Sequence, residues 1–370
     1  MSGSQPMDCS RRAVLAGGVA LAASRAFAAP SAPMALIAGT YAQEGGKGLY
    51  TLTRSGSGWS VDPSVPPIRN ISFGTRSSRL GLSYLVSEGD KGSLDVFDRG
   101  YASVAERATR GSGPCHVALS ADGSALAAAN YSSGDVAVWA IDPATGLPRG
   151  EAQLLKHTGS GPNADRQAGP HAHWVGFTKD LHWLHSVDLG ADAIFAHAYD
   201  ASAQKAGETK IAYRAPAGSG PRHLARHPRL PVCYLASELS NTLTVLAAAT
   251  DGTFRSIDTM PTLPAGFTGH SQVAHIAINA AGTRLYISNR GHNSVAVFAL
   301  APDGGARLLQ HAPSGGDWPR FFLLIEEQGE MLVANERSGT VARLSIGSDG
   351  RLRPEPGVVA VPGVVFLALK

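Results

Sequence analysis

Apolar residues in this chain fall in short runs, each cut off after a few residues by a polar or glycine-bearing turn. Short apolar runs between turn signals predict strands rather than helices. The runs belong to a repeating unit: Gly-Pro-x-His, a short strand, a polar turn ending in Gly, a second strand ending in Asn, Asp or Glu, a small loop and a third strand. The clearest copy opens at Gly113-Pro114-Cys115-His116, continues through ALAAAN to Asn130 and closes with VAVWAID. A second opens at Gly220-Pro221-Arg222-His223 and continues through VCYLASE to Glu238. Further copies run through His275 and LYISN, through Trp318-Pro319-Arg320 and MLVAN, and through Gly169-Pro170-His171 and HWLHSVD.

The polar residue closing the second strand marks each copy, at Thr40, Glu88, Asn130, Asp188, Glu238, Asn289 and Asn335. Seven copies at a period of about 40–50 residues, each with three or four short strands, predict an all-β protein, a seven-bladed β-propeller. The Gly-His and Trp-Asp dipeptides of a WD-type propeller are absent. The first copy lacks its opening strand, while VVFLALK from Val364 to Lys370 is an apolar strand that no copy claims. An open ring would leave two unpaired sheet edges. The C-terminal strand is therefore expected to join the first blade and close the ring.

Composition agrees with this picture: 44% hydrophobic and 16% charged, with 43 Gly and 23 Pro among 370 residues, is the balance of a turn-rich globular chain. Residues 1–30 read differently. Arg11-Arg12, a mildly apolar run to Ala23 and Ala26-Phe27-Ala28 have the basic, apolar, small-residue order of an export signal, of twin-arginine type. Residues 31–370 then form the propeller, expected to be periplasmic or secreted. Loss of the signal takes the formal charge from +3 to about +1, which gives no electrostatic case for nucleic acid or membrane lipid. Cys115 and Cys233 remain, expected in different blades and unpaired.

The start of a first strand and the end of a second lie at the same face of the disc. Cys115, His171, Arg222 and Arg320, each after a Pro, and Glu88, Asn130, Asp188, Glu238, Arg290 and Glu336 should therefore ring one channel mouth. By alternation His116 and His223 should face away from the channel and hold loops between blades. Asn130, Asn289 and Asn335 precede tight loops, where Asn caps turns. The longest interval between markers holds HTGSGPNADRQAGPHAH, from His157 to His173, which could lay Asn163, Arg166 and Gln167 over the mouth. Carboxylates and Asn around an axis also suit a hard cation. No metal set is singled out, and neither a metal nor another cofactor is expected.

GPNADRQAGPHAH, GPRHLARHP with YLASELSNTLTVL, and LYISNRGHNSVAVF together resemble the seven-bladed propeller lactonases, which include the bacterial propeller-type 6-phosphogluconolactonase and a fungal carboxymuconate lactonising enzyme. The resemblance implies a hydrolase opening a small sugar lactone in the channel mouth, with His171 and Glu238 as catalytic residues and Arg222 and Arg290 as the anion-holding pair. His171 would activate water or protonate the leaving oxygen, and Glu238 would orient it or share the proton. Asn163, Arg166 and Gln167 would add substrate contacts. Where many members read Ala-Glu-Ile-His, this chain reads Ala274-His275-Ile276-Ala277. Export points to a free sugar lactone rather than a cytoplasmic phosphate ester. A muconate-type lactonising enzyme, and a non-enzymatic propeller binding a protein or small ligand, are the competing readings.

If the signal is of twin-arginine type, replacing Arg11 and Arg12 together by Lys leaves precursor in the cytoplasm. Normal periplasmic yield, read by fractionation and immunoblot, marks a Sec signal instead.

Overall fold

A computed structural model describes residues 34–56, 58–63 and 68–370, with Met1 and Gly3. Apart from those two, the expected export signal lies outside the described residues. Twenty-eight strands among the described residues form seven four-stranded antiparallel sheets arranged as blades. In blades 2 to 7 four consecutive strands make one sheet. The innermost of these are Ile71–Ser77, Pro114–Leu119, Ala172–Phe177, Pro221–Arg226, Gln272–Ile278 and Pro319–Ile325, and each touches its neighbours around the axis.

Blade 1 is composite, as the unclaimed C-terminal run predicts. Val364–Leu369 forms its innermost strand and pairs antiparallel with Met34–Thr40, from Leu36 opposite Leu369 to Thr40 opposite Val364. This pairing closes the ring and leaves neither end of the propeller with an open inner edge.

Neighbouring blades are joined by a recurring bond as well as by apolar packing. Near the start of the second strand, Tyr84, Tyr234 and Tyr286 donate to the outer-loop carbonyls of Gly146, Gly304 and Gly350 in the next blade, at 2.7, 2.7 and 3.0 Å. In blade 4 the same position carries His185, whose Nε2 bonds the Gly252 carbonyl at 2.7 Å. Each phenol is deeply buried yet keeps a hydrogen bond, as burial of a polar tip requires.

A bulge recurs near the mouth end of the innermost strands. Pairing skips one residue between Ile71 and Phe73, Pro114 and His116, Ala172 and Trp174, Pro221 and His223, and Pro319 and Phe321. Blades 1 and 6 show the same irregularity, after Val364 and after Val273. An extra residue on one strand breaks the alternation of side chains. The bulged residue turns to the mouth, and the next side chain is thrown onto the axis.

That second set fills the centre of the disc. Phe73, His116, Trp174, His223, His275, Phe321 and Phe366 form one aromatic plug, with Phe73 and His116 rings 4.1 Å apart and His275 and Phe321 rings 4.3 Å apart. Contacts also cross the axis, between Phe73 and His223 at 6.1 Å and between His116 and His223 at 5.3 Å. His116 and His223 therefore face the channel, contrary to the alternation argument, because the bulge precedes them. Burial holds both well below the usual histidine range, and it pushes His275, beside Arg222, down to about 3. Cys115 in blade 3 and Cys233 in blade 5 are free thiols, as expected.

Removing the chain after Gly363 exposes the inner edge of Met34–Thr40 and removes Phe366 from the plug. The truncated protein should melt far below the parent in calorimetry, and an unchanged Tm refutes the closure. A second outcome follows from the neutral histidines. Their folded pKa values lie below the unfolded value of about 6.5, so the unfolded chain binds more protons on acidification. Stability is complete above about pH 6.5 and falls below it, by up to about 1.4 kcal/mol per pH unit for each such histidine. Urea melts at pH 7 and pH 5 should show this loss, and His275→Phe should reduce it.

Candidate active site at the channel mouth

The mouth is built from two residues per blade. One is the bulged residue of the innermost strand, which is Cys115, His173, Arg222 or Arg320 where its side chain carries chemistry. The other is the residue that follows Thr40, Ser87, Asn130, Asp188, Ser237, Asn289 or Asn335 at the end of the second strand: Tyr41, Glu88, Tyr131, Leu189, Glu238, Arg290 or Glu336. Backbone bonds bring the two together. The amides of Glu88, Tyr131, Glu238 and Glu336 donate to the carbonyls of Asn70, Gly113, Gly220 and Trp318, which immediately precede the innermost strands. All four of those acceptors are left-handed, with φ between 56° and 66°. Glycine at 113 and 220 meets this without strain, which explains the Gly-Pro openings.

The marker residues Asn130, Asp188, Asn289 and Asn335 do not face the mouth. They close the strand one residue earlier and reach outward. Asn289 Nδ2 bonds the Thr262 carbonyl at 3.0 Å and Asn335 Nδ2 the Ser314 carbonyl at 3.2 Å, each just beyond the outer strand of the preceding blade. The turn-capping role expected for these Asn residues thus becomes a tie between blades at Asn289 and Asn335, while Asn130 bonds across its own turn, its Nδ2 donating to Asp135 Oδ1 at 2.6 Å.

Blade 4 differs in register from the expectation. Ala172, not Pro170, pairs at the position held by Pro114 and Pro221 in their blades. His173 is therefore the counterpart of Cys115 and Arg222, and it lines the mouth. His171 precedes the strand and stands behind the mouth wall. Its ring stacks on Tyr131 with centroids 4.5 Å apart, and its Nδ1 bonds the Tyr131 carbonyl at 2.9 Å.

Glu238, Arg222 and Arg290 meet as expected. Arg290 Nη2 lies 2.8 Å and Arg222 Nε 3.1 Å from Glu238 Oε2, with all three side chains buried. The Arg222 contact is an ion pair without hydrogen-bond alignment, while its Nη1 donates to the Ala274 carbonyl. The long insertion adds a third guanidinium. Arg166 Nη2 bonds Glu238 Oε1 at 2.7 Å and the Tyr131 hydroxyl at 3.1 Å. Asn163 and Gln167 do not reach the mouth. Asn163 is exposed and its Oδ1 caps the turn at the amides of Asp165 and Arg166, while buried Gln167 donates to the Leu189 carbonyl.

Burial alone would raise the pKa of Glu238, but Arg290 and Arg222, with Arg166, reverse this and hold it well below the usual carboxylate range. Glu238 is therefore a fixed negative charge at neutral pH and a weak proton acceptor, which disfavours the shared proton transfer expected of it. His173 is the opposite case: burial first, and Arg222 next, push it well below the ordinary imidazole value, so it is neutral. On the far wall Arg320 Nη2 donates to the Tyr41 hydroxyl at 2.6 Å, and Tyr41 donates to Glu88. Burial is the main cause that raises the Tyr41 pKa, so the phenol stays protonated.

Tyr41, Tyr131, His173 and six charged side chains line a cavity of about 470 Å³: Arg166, Arg290 and Arg320 with Glu88, Glu238 and Glu336. Arg222, 3.1 Å from Glu238, does not border it. Among the described residues no three of His, Cys, Asp or Glu are grouped as metal ligands. Tyr41, Tyr131 and His173 were not anticipated from sequence. Each is legible once the mouth position is read as the residue after the strand-two marker, or once Trp174-Val175 is aligned with His116-Val117.

The Bacillus subtilis 6-phosphogluconolactonase is 30% identical to the chain over 338 residues, covering 88% of this chain and 95% of the relative. The solved structure of a Pseudomonas aeruginosa periplasmic gluconolactonase superposes with TM-score 0.82 at 26% identity, over 91% of this chain and 99% of the other. A protein of Lactobacillus plantarum gives TM-score 0.82 at 28% identity over 92% and 100%. Residues 35–369 match the family described as Lactonase, 7-bladed beta-propeller, and the chain belongs to that family.

Proposed function

We propose that the channel mouth hydrolyses a small anionic or polyhydroxylated sugar lactone. The observation that carries this reading is the convergence of Arg166, Arg222 and Arg290 on Glu238 beside neutral His173, in a cavity of small-ligand size. The Bacillus relative's name supports a sugar lactone. The Arg11-Arg12 signal and the compartment named for the Pseudomonas protein support an exported, periplasmic enzyme acting on a free lactone.

In this reading His173 takes the role assigned above to His171. Water adds to the lactone carbonyl and gives its proton to His173, which returns it to the ring oxygen as the C–O bond breaks. Arg166 and Arg290 stabilise the oxyanion of the addition step, prearranged by Glu238, whose charge offsets their mutual repulsion. Arg166 donates to the Tyr131 hydroxyl, which leaves the phenolic O–H free to hydrogen-bond the leaving oxygen while His173 supplies its proton. His171 supports Tyr131 from behind. Exposed apolar side chains, such as Val104, Ile211, Ile257, Leu308 and Val358, are dispersed over the outer strands of different blades, which gives no support to a protein-docking scaffold.

Purified mature protein should open one or more of gluconolactone, 6-phosphogluconolactone and related sugar lactones, followed by acid release. His173→Ala should lower kcat about 10²-fold or more, the usual scale for one acid–base group, while Arg290→Lys, which loses the planar fork, should mainly raise KM. Parental rates in both variants place the chemistry elsewhere, and no turnover of any lactone by the parent favours the binding reading.

The pH profile gives an independent check. Because His173 is held below its ordinary value and acts in its neutral form, the acid limb of kcat/KM should lie well below pH 6.5 and the rate should be flat through neutrality. A limb centred at or above pH 6.5 rules out His173 as the proton acceptor.

A further inference from the structure

The segment 157–171 joins the outer strand of blade 3, Gln153–Lys156, to the innermost strand of blade 4, Ala172–Phe177. It carries Arg166 to the mouth, yet its own side chains hold it down at few points. Both of its ends meet at one carboxylate. Asp188, the last residue of the second strand of blade 4, takes His157 Nδ1 on Oδ2 at 2.7 Å and the backbone amide of His171 on Oδ1 at 2.8 Å. The amide of Ala191 also donates to Oδ1, at 2.8 Å. Neither Asp188 nor the His157 side chain is exposed.

The clasp is backed by a buried chain of hydrogen bonds. His157 Nε2 lies 2.8 Å from Ser186 Oγ, which lies 2.8 Å from His197 Nε2, and His197 Nδ1 lies 2.7 Å from Thr209 Oγ1. Taken in order from Thr209 to Asp188, each group donates to the next, and every side-chain donor is used. Ser186, His157 and Asp188 have the spacing of a hydrolytic triad, but Ser186 is fully buried and none of the three borders the mouth cavity. The network holds rather than reacts.

Comparison of the blades sharpens the point. At the position of Asp188, blades 6 and 7 carry Asn289 and Asn335, each tying back to a carbonyl through its Nδ2. In both the side-chain oxygen is left without a partner. Blade 4, which receives the long insertion, carries the carboxylate, and both of its oxygens are used. A carboxylate accepting three donors, two of them from opposite ends of one loop, fixes the span of that loop.

We propose that Asp188 is a positioning residue of the channel-mouth site: by clasping the two ends of segment 157–171 it sets Arg166 against Glu238 and Tyr131. The catalytic part of this inference rests on the lactonase reading above; the clasp itself does not. The Asp188 side chain does not border the cavity and reaches it through the segment that carries Arg166, with a smaller part through His171 behind Tyr131, so most of its effect on turnover should be lost when Arg166 is absent.

The test pairs kinetics with hydrogen exchange on the full-length mature chain. Asp188→Ala should lower kcat/KM by about tenfold or more in the parental background and less than twofold in an Arg166→Ala background. Amides of residues 161–167 should exchange at least tenfold faster in Asp188→Ala than in the parent. Asp188→Asn keeps Oδ1 for the two amides and permits the hydrogen-bond chain to run in reverse, so it should restore most of the protection and most of the rate. It also serves if Asp188→Ala does not fold, with His157→Gln then removing one end of the clasp. Equal losses in both backgrounds, or loop amides as protected in Asp188→Ala or His157→Gln as in the parent, overturn the proposal. If the parent opens no lactone, the lactonase reading fails alone, and the exchange result decides the clasp.

Discussion

Seven innermost strands converge on one axis, and a regular strand would send alternate side chains to its two faces along its whole length. The repeated bulge near the mouth breaks that regularity at one level of the disc. Above it stand charged and polar side chains; at it lie rings packed edge to face. Without the extra residue, Arg222 and His223 would exchange sides, setting an imidazole among the mouth charges and a guanidinium among the rings. A bulge costs a ladder hydrogen bond and twists the strand. Here it sends successive side chains to different levels in every blade, and in blades 5 and 7 it separates a guanidinium, Arg222 or Arg320, from a ring within a single residue step.

The charged layer is held by balance rather than by solvent. Burying a lone carboxylate or guanidinium costs several kcal/mol, and pairing offsets this only when geometry is good. Glu238 has three guanidiniums around it, and Arg320 has Tyr41 and, at 3.7 Å, Glu336. The mouth is thus preorganised before any ligand arrives, with one side set by adjacent blades and the other by a loop that bridges three of them. Of the three guanidiniums around Glu238, Arg222 and Arg290 are already desolvated and oriented, while Arg166 keeps 32% of its side chain exposed.

The blade count, the composite first blade and the meeting of Glu238, Arg222 and Arg290 were legible because each follows from a period and a polar residue at a fixed place in it. His173 was not. Gly169-Pro170-His171 imitates Gly220-Pro221-Arg222, but the insertion ends two residues later in blade 4, so the matching motif is out of register with the matching structure. Tyr41 and Tyr131 were hidden for a related reason: Thr40 and Asn130 are the polar residues that catch attention, and their side chains bond within their own hairpins, to Gly48 and Asp135. His116 and His223 were misassigned because strict alternation is a sound rule for a strand without a bulge, and nothing in the local composition marks the bulge. Asp188 was recognised as a marker, but its grip on both ends of the insertion depends on His157, a residue that lies outside the repeat.

The aromatic plug has a further consequence for traffic. A propeller with an open axis offers two doors, so a ligand can enter at one face and leave at the other, and a chain can be threaded through. Here Phe73 reaches rings of blades 5, 6 and 7 across the axis, so the mouth ends as a blind well. Whatever enters passes Arg166 at the mouth and leaves by the same path. A long polymer cannot be drawn through the disc; only a small molecule, or the free end of a larger one, can reach the floor of the well.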